Sequence, residues 1–131
     1  YIVHSEMCAN WGYERLHDAI KKRAIEEMKH AERLIERILF LEGTPDVSGM
    51  KKVVIGNDVE QQFKNDCVAE VEANKSYNDS IGLCSDAGDN GSMELLKSIL
   101  MDEEKHLDWL ETQLSLIKQI GNKNYLIEQV G

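Results

Sequence analysis

The sequence predicts an all-α fold: a four-helix bundle with one long crossover and a short fifth helix at the C-terminus. Three observations carry that prediction. Apolar residues recur every three or four positions through three stretches of roughly 28 residues each, the period of a helix with one buried face. The stretches are punctuated at Trp11-Gly12, Gly43-Thr44-Pro45, Gly88-Asp89-Asn90-Gly91 and Gly121. The single proline, Pro45, leaves the helices uninterrupted. At 131 residues the chain reads as one domain, long enough for a sizeable core.

Each element has its own signals. Tyr1 to Asn10 reads as the tail of a helix closed by Trp11-Gly12. A second helix runs from about Tyr13 to Glu42, with the stripe Ile20, Ala24, Ala31, Leu34, Ile38 and Leu41, and with Ile25, Ile35 and Leu39 alongside. Gly43-Thr44-Pro45 stops it. The connection over about 43–58 holds the short apolar run Val53-Val54-Ile55 and is long enough to cross from one end of a bundle to the other. A third helix spans about Val59 to Asp86, with the stripe Val59, Phe63, Cys67, Tyr77, Ile81 and Cys84. Gly88-Asp89-Asn90-Gly91 reads as a tight turn, and Ser92 as the N-cap of a fourth helix with Glu94 in its first turn. That helix runs to Ile120 on the stripe Leu96, Ile99, Leu100, Leu107, Leu110, Leu114 and Ile117, with Gly121 as its C′ residue. A short helix over about 122–130 closes the chain. Helices two to four would each be about 42 Å long. The first would be far shorter, so roughly 20 further residues of helix one are expected before Tyr1 to cover its neighbours' stripes.

Composition removes several classes of function. The net charge of −9, with 30% charged residues, argues against nucleic acid, which needs a basic patch. An acidic surface suits the gathering of cations. No apolar run approaches a membrane span, so no membrane partner is expected. Cys8, Cys67 and Cys84 are odd in number and lack C-x-x-C spacing, which fits a reducing cytoplasmic setting rather than a disulfide or zinc framework.

The chemistry lies in two Glu-x-x-His motifs, Glu27-Met28-Lys29-His30 and Glu103-Glu104-Lys105-His106. Positions i and i+3 share a helix face, so each motif aims a carboxylate and an imidazole at one point. Glu27 and Glu103 fall on apolar stripes, with His30 and His106 beside them, and Glu70 falls on the stripe of helix three between Cys67 and Tyr77. Buried carboxylates on three helices need compensating cations, or else solvation or buried ion pairing. Two facing motifs inside a bundle make a two-metal site. Carboxylate with imidazole suits iron or manganese better than structural zinc. Glu27 and Glu103 would bridge the two metals and Glu70 would be a terminal ligand. A fourth lone Glu would lie about two turns before Tyr1. A third motif, Glu14-Arg15-Leu16-His17, sits in the first turn of helix two, where the helix dipole alone favours Glu14.

With those residues in place, the chain resembles the bacterioferritins, the haem-containing bacterial ferritins. The stretches that carry the resemblance are 26–31 around the first motif, 33–43, and 102–114 around the second. It implies a ferritin-like fold and a hollow homo-oligomeric shell of two dozen subunits (a 24-mer) built from two-fold dimers. It implies two iron ions per subunit at an intrasubunit centre, oxidation of Fe²⁺ by O₂ or peroxide (ferroxidase activity), and ferric mineral stored in the cavity. By motif, Glu27, His30, Glu70, Glu103 and His106 match the family's di-iron ligands, and Tyr1 matches its tyrosine beside that centre. Trp11 and Trp109 match family aromatics. Met28 matches the methionine that, with its copy from a two-fold-related subunit, ligates one haem per dimer. That haem would assist iron release with electrons from a small 2Fe–2S ferredoxin. Lys22 stands where some relatives have an inner-surface His, and protonated Lys cannot ligate, so Glu26 alone would be a weak inner-surface iron site. Two other readings stay open from the residues: a ferritin-like di-iron oxidase or peroxidase without storage, and a structural subunit whose site is inactive.

Overall fold

The computed structural model describes residues 1–46, 48 and 53–131. Among them are five helices: α1 (Ile2–Asn10), α2 (Glu14–Phe40), α3 (Val59–Asp86), α4 (Asn90–Ile120) and α5 (Asn122–Ile127). They fall into two compact units, Tyr1–Ile55 with Gln129–Gly131, and Gly56–Glu128. The middle of the expected crossover, at Val47 and at residues 49–52, lies outside the described residues.

The first unit is the α1–α2 hairpin. Trp11 caps α1, and Gly12 takes φ +87° so that its N–H reaches Ala9 O while that of Tyr13 reaches Cys8 O. These paired bonds satisfy the last carbonyls of the helix, and the left-handed residue is a glycine. His17 ties the two helices together, its Nδ1 3.0 Å from both Ser5 O and Ser5 Oγ. Near the start of α2 Leu16 and Ile20 are buried, whereas the expected stripe residues Ala31, Ile38 and Leu41 farther along are exposed. The reason is length. α1 has 9 residues against 27 in α2, about 14 Å against about 40 Å, so within this unit α1 covers only the near end.

α2 ends at Phe40, two residues before the expected Glu42. Glu42, not Gly43, adopts the left-handed conformation, at φ +64°. Its N–H bonds Leu39 O, and Gly43 N–H bonds Ile38 O at 2.9 Å. Gly43 lies close to Ile38: a Cβ there would stand 3.0 Å from Ile38 Cγ2.

The second unit is the α3–α4 hairpin with α5 packed on α4. Asp58 accepts from Gln61 N–H at 2.8 Å and starts α3 where the sequence predicts. Gly88, at φ +72°, ends α3 with the same pair of bonds seen after α1. The expected cap of α4 is corrected. Asp89 is the N-cap, accepting from Ser92 N–H at 3.0 Å and from Ser92 Oγ–H at 2.6 Å. Ser92 lies inside the first turn, and Asn90 and Gly91 are helical rather than part of a turn. A carboxylate three residues ahead outcompetes the hydroxyl for the orphan N–H groups because its hydrogen bond is charge-assisted. Gly121, at φ +85°, ends α4 and opens α5, which stops at Ile127, shorter than the sequence suggests.

The core of this unit is Val59, Phe63, Ile99, Leu100, Leu110, Ile117 and Tyr125. Phe63 meets Trp109 and Tyr125 edge-on, with centroids 5.7 and 6.3 Å away. Tyr125 OH donates to Gln113 Oε1 at 2.6 Å, which gives the buried phenol its partner and pins α5. Cys67, Tyr77, Ile81 and Cys84 of the expected stripe are half-buried.

Candidate metal centre

The α3–α4 hairpin brings three of the predicted residues together. Glu70 comes from the middle of α3; Glu103 and His106 come from one face of α4, three residues apart. Each offers a ligand atom within 4.8 Å of the others. His106 Nδ1 lies 3.7 Å from Glu70 Oε1 and 3.6 Å from Glu103 Oε2. All three are buried, with relative exposures of 3% for Glu70, 1% for Glu103 and 0% for His106.

Helix geometry explains the meeting. The i, i+3 spacing puts Glu103 and His106 on one face, and the three-residue link Ala87–Asp89 turns the chain back so that α3 presents Glu70 to that face. Two ionised carboxylates held this deep are costly alone, and a divalent cation compensates both. Two hard oxygen donors and one imidazole nitrogen suit iron or manganese. Neighbouring sulfur does not alter that donor set. Burial raises the Cys67 thiol above its ordinary value, reinforced by the charges of Glu111, Asp66 and Glu70, so the thiolate that a metal would need is disfavoured.

The other predicted residues lie on α1 and α2 in the first unit. His30 is buried, and its Nδ1 is 3.9 Å from Glu27 Oε1, so the first motif also aims its two groups together. Glu27 is half-buried. Tyr1, half-buried, is the N-cap residue of α1. Met28 is 56% exposed, beside exposed Ile25 on the same helix. Glu26 accepts from Arg23 Nη1 at 2.8 Å, a bond that competes with any cation for its carboxylate. Glu14, His17 and Asp18 also come within 4.8 Å of one another, but Glu14 and Asp18 are exposed and His17 Nδ1 is engaged by Ser5.

Sequence reading missed three further polar residues on α3. Gln62 and Asp66 are buried on α3, and Asn74 Oδ1 is enclosed. The available signal was the four-residue spacing from Glu70 in both directions. No described helix is long and apolar enough to cross a membrane.

The chain is similar to known proteins over most of its length. Residues 1–120 match the family described as Ferritin-like domain. The chain is 40% identical over 125 residues to a protein of Brucella melitensis named bacterioferritin, covering 95% of this chain and 78% of that protein. It is 41% identical over 131 residues to a protein of Synechocystis named bacterial ferritin, covering 99% and 84%. It is 37% identical over 125 residues to a bacterioferritin of Mycobacterium leprae, covering 95% and 79%.

Proposed function

This chain belongs to the bacterioferritins of the ferritin-like family, and from that premise we infer that it stores iron, oxidising Fe²⁺ to Fe³⁺ and depositing the mineral inside a hollow shell of two dozen copies. The observation that carries the reading is the enclosed trio Glu70, Glu103 and His106. The resemblance implies that Glu27 and His30 are the remaining ligands of this chain and that Tyr1 is the tyrosine of the centre. What supports this part is the resemblance together with the shared Glu-x-x-His spacing of the two motifs.

A pair of iron ions bound there supplies the electrons that reduce O₂ or peroxide. The protein's own contribution is positional and electrostatic. The carboxylates of Glu70 and Glu103 neutralise cationic charge in a site from which water is largely excluded. For His106 to ligate through Nδ1, the nitrogen facing both carboxylates, its ring proton must sit on Nε2. Packing at 0% exposure holds the ring in that orientation.

Met28 is the haem residue in this reading. Its thioether fits that role because it is a soft donor on an exposed surface, one residue or about 100° round the helix from Glu27. One such sulfur from each of two copies, related by a two-fold axis, serves one haem. A haem held there would supply a route for the electrons that release iron, with a small 2Fe–2S ferredoxin as their source. The protein works in the cytoplasm.

The test adds Fe²⁺ aerobically to the assembled protein, follows oxidation by ultraviolet absorbance, and then measures iron co-eluting with the protein on gel filtration. Rapid oxidation with iron retained in a large particle is expected, and Glu103→Gln should slow the reaction severely. Oxidation at the rate of buffer alone would overturn the ferroxidase reading. Fast oxidation without retained iron would favour a di-iron oxidase that does not store.

A further inference from the structure

The first turns of α2 carry a second group of metal-binding side chains. Glu14, His17 and Asp18 stand at i, i+3 and i+4, so they share one helix face, and each offers a ligand atom within 4.8 Å of the others. His17 is already aimed. Its Nδ1 lies 3.0 Å from the backbone oxygen of Ser5, which can only accept, so the neutral ring carries its proton on Nδ1 and donates it across to α1. Ser5 is buried, and its hydroxyl in turn donates to His17 O at 3.3 Å. Nε2 is left with its lone pair. His4, His30 and His106 are buried, so His17 is the imidazole most open to solvent. Glu14 and Asp18 are exposed and of like charge at i, i+4, a mildly unfavourable pair, and neither has an ion-pair partner among the described residues.

We propose that Glu14, His17 and Asp18 form a second, solvent-facing site for a divalent first-row transition ion, with His17 Nε2 and one oxygen of each carboxylate as ligands. The proposal does not rest on the buried centre. An imidazole whose other nitrogen donates to a backbone carbonyl is the usual form of a metal-ligating histidine: the hydrogen bond fixes tautomer and ring orientation and makes the second nitrogen more basic. The two carboxylates supply the charge that the ion needs, and their mutual repulsion is relieved when it binds. The positive end of α2 opposes a cation, so the imidazole alone would not hold one there and both carboxylates are required. Ligand atoms of one zinc ion lie roughly 3.3 Å apart at bonds of about 2.1 Å, and two exposed side chains can rotate to that spacing. Three protein ligands leave a position for water, and exposure keeps the ion exchangeable. Imidazole favours ions such as Zn²⁺ over Mg²⁺, which prefers oxygen and dehydrates reluctantly. A bound ion also steadies the ring that joins α1 to α2.

Zn²⁺ is the probe, and the readout is modification of His17 by diethyl pyrocarbonate in the intact protein, located by peptide mass spectrometry. The reagent attacks an imidazole nitrogen with an available lone pair, so His17 should react in the absence of metal. Zn²⁺ should suppress that reaction, and Mg²⁺ at the same concentration should not. Glu14→Gln combined with Asp18→Asn alters two exposed side chains and keeps His17. It should raise the Zn²⁺ concentration for half-suppression at least about tenfold, the smaller cost of losing even an outer partner at a metal site. An unreactive His17, no suppression by Zn²⁺, equal suppression by Mg²⁺, or an unchanged half-suppression in the double variant would each overturn the proposal. The readout is local to His17, so the result holds whether or not the buried centre binds metal.

Discussion

Glu70 and His106 meet between α3 and α4, Oε1 to Nδ1 at 3.7 Å, with Glu103 Oε2 at 3.6 Å from the same nitrogen. The imidazole nitrogen is therefore flanked by two buried acceptors. A divalent cation seated among the three would bind the ring nitrogen and compensate both carboxylates.

Metal should consequently stabilise the fold. At a free Co²⁺ or Fe²⁺ concentration 100-fold above Kd, linkage contributes about 2.7 kcal/mol. For a chain of this size that is a rise in Tm of about 10 °C, at roughly 4 °C per kcal/mol. Differential scanning calorimetry of metal-free and metal-loaded protein measures it. His106→Ala should remove most of the rise, and a variant that kept it in full would place the metal elsewhere.

The thiol of Cys67 is raised above its ordinary 9.0, first by burial, then by the charges of Glu111, Asp66 and Glu70. Alkylation of Cys67 by iodoacetamide at pH 8 should therefore be slower than that of a free thiol and should keep accelerating above pH 9, because the thiolate is the nucleophile. Glu111→Gln should speed it by removing one of the negative charges. The sign for stability follows from proton counting. Between the unfolded and folded values the native state binds more protons, so this contribution is complete below the ordinary thiol value and is lost as pH rises through the raised one. Cys67→Ser should flatten that part of the alkaline stability profile.

Asp89 takes two hydrogen bonds from Ser92, one from its N–H and one from its hydroxyl. Asp89→Ala should cost about 1 kcal/mol, the usual worth of an N-cap. Ser92→Ala should cost less, since Asp89 keeps the backbone bond. Urea unfolding separates the two, and equal losses would mean that the hydroxyl bond, not the cap, dominates.

How far the sequence discloses this molecule depends on what kind of signal each residue carries. α3 is legible to the residue at both ends because Asp58 and Gly88 each perform the one job their type favours. The start of α4 is not, because Asn90-Gly91 looks like a turn when the capping carboxylate before it is overlooked. The outward set of Ala31, Ile38 and Leu41 is invisible to periodicity, which reports an apolar face but not what covers it. At the centre, Glu70, Glu103 and His106 stand out as charges on apolar stripes. Gln62, Asp66 and Asn74 do not, because spacing alone does not tell an enclosed polar residue from a solvated one.

Met28, 56% exposed, offers its sulfur on the face of α2 away from Glu27. Protein reconstituted with haem should show the absorption of a low-spin, two-thioether complex, and Met28→Leu should abolish haem binding while leaving Co²⁺ binding at Glu103 and His106 intact. Haem uptake by Met28→Leu with an unchanged spectrum would assign the ligand elsewhere. Loss of both ligands together would point to a folding defect, which the Co²⁺ spectrum detects directly.

Glu42 is the only non-glycine residue with positive φ among those described, at +64°. It occupies the position after the α2 cap that Gly12 and Gly88 fill after α1 and α3, with the same pair of backbone bonds behind it. A side chain in this conformation brings Cβ against the following carbonyl oxygen, a cost of roughly 1–2 kcal/mol that glycine avoids. Glycine in turn gains freedom in the unfolded chain and returns part of that difference. Glu42→Gly should therefore stabilise the protein modestly, by about 0.5–1 kcal/mol in urea unfolding. Gly43→Ala should destabilise it by more than that. Its added methyl would meet Ile38 Cγ2 at 3.0 Å and the Ile38 carbonyl oxygen at 3.3 Å, and backbone cannot give way as a side chain can. If Gly43→Ala were neutral, the close approach of residue 43 to Ile38 would not hold in solution, and neither would the helix ending built on it.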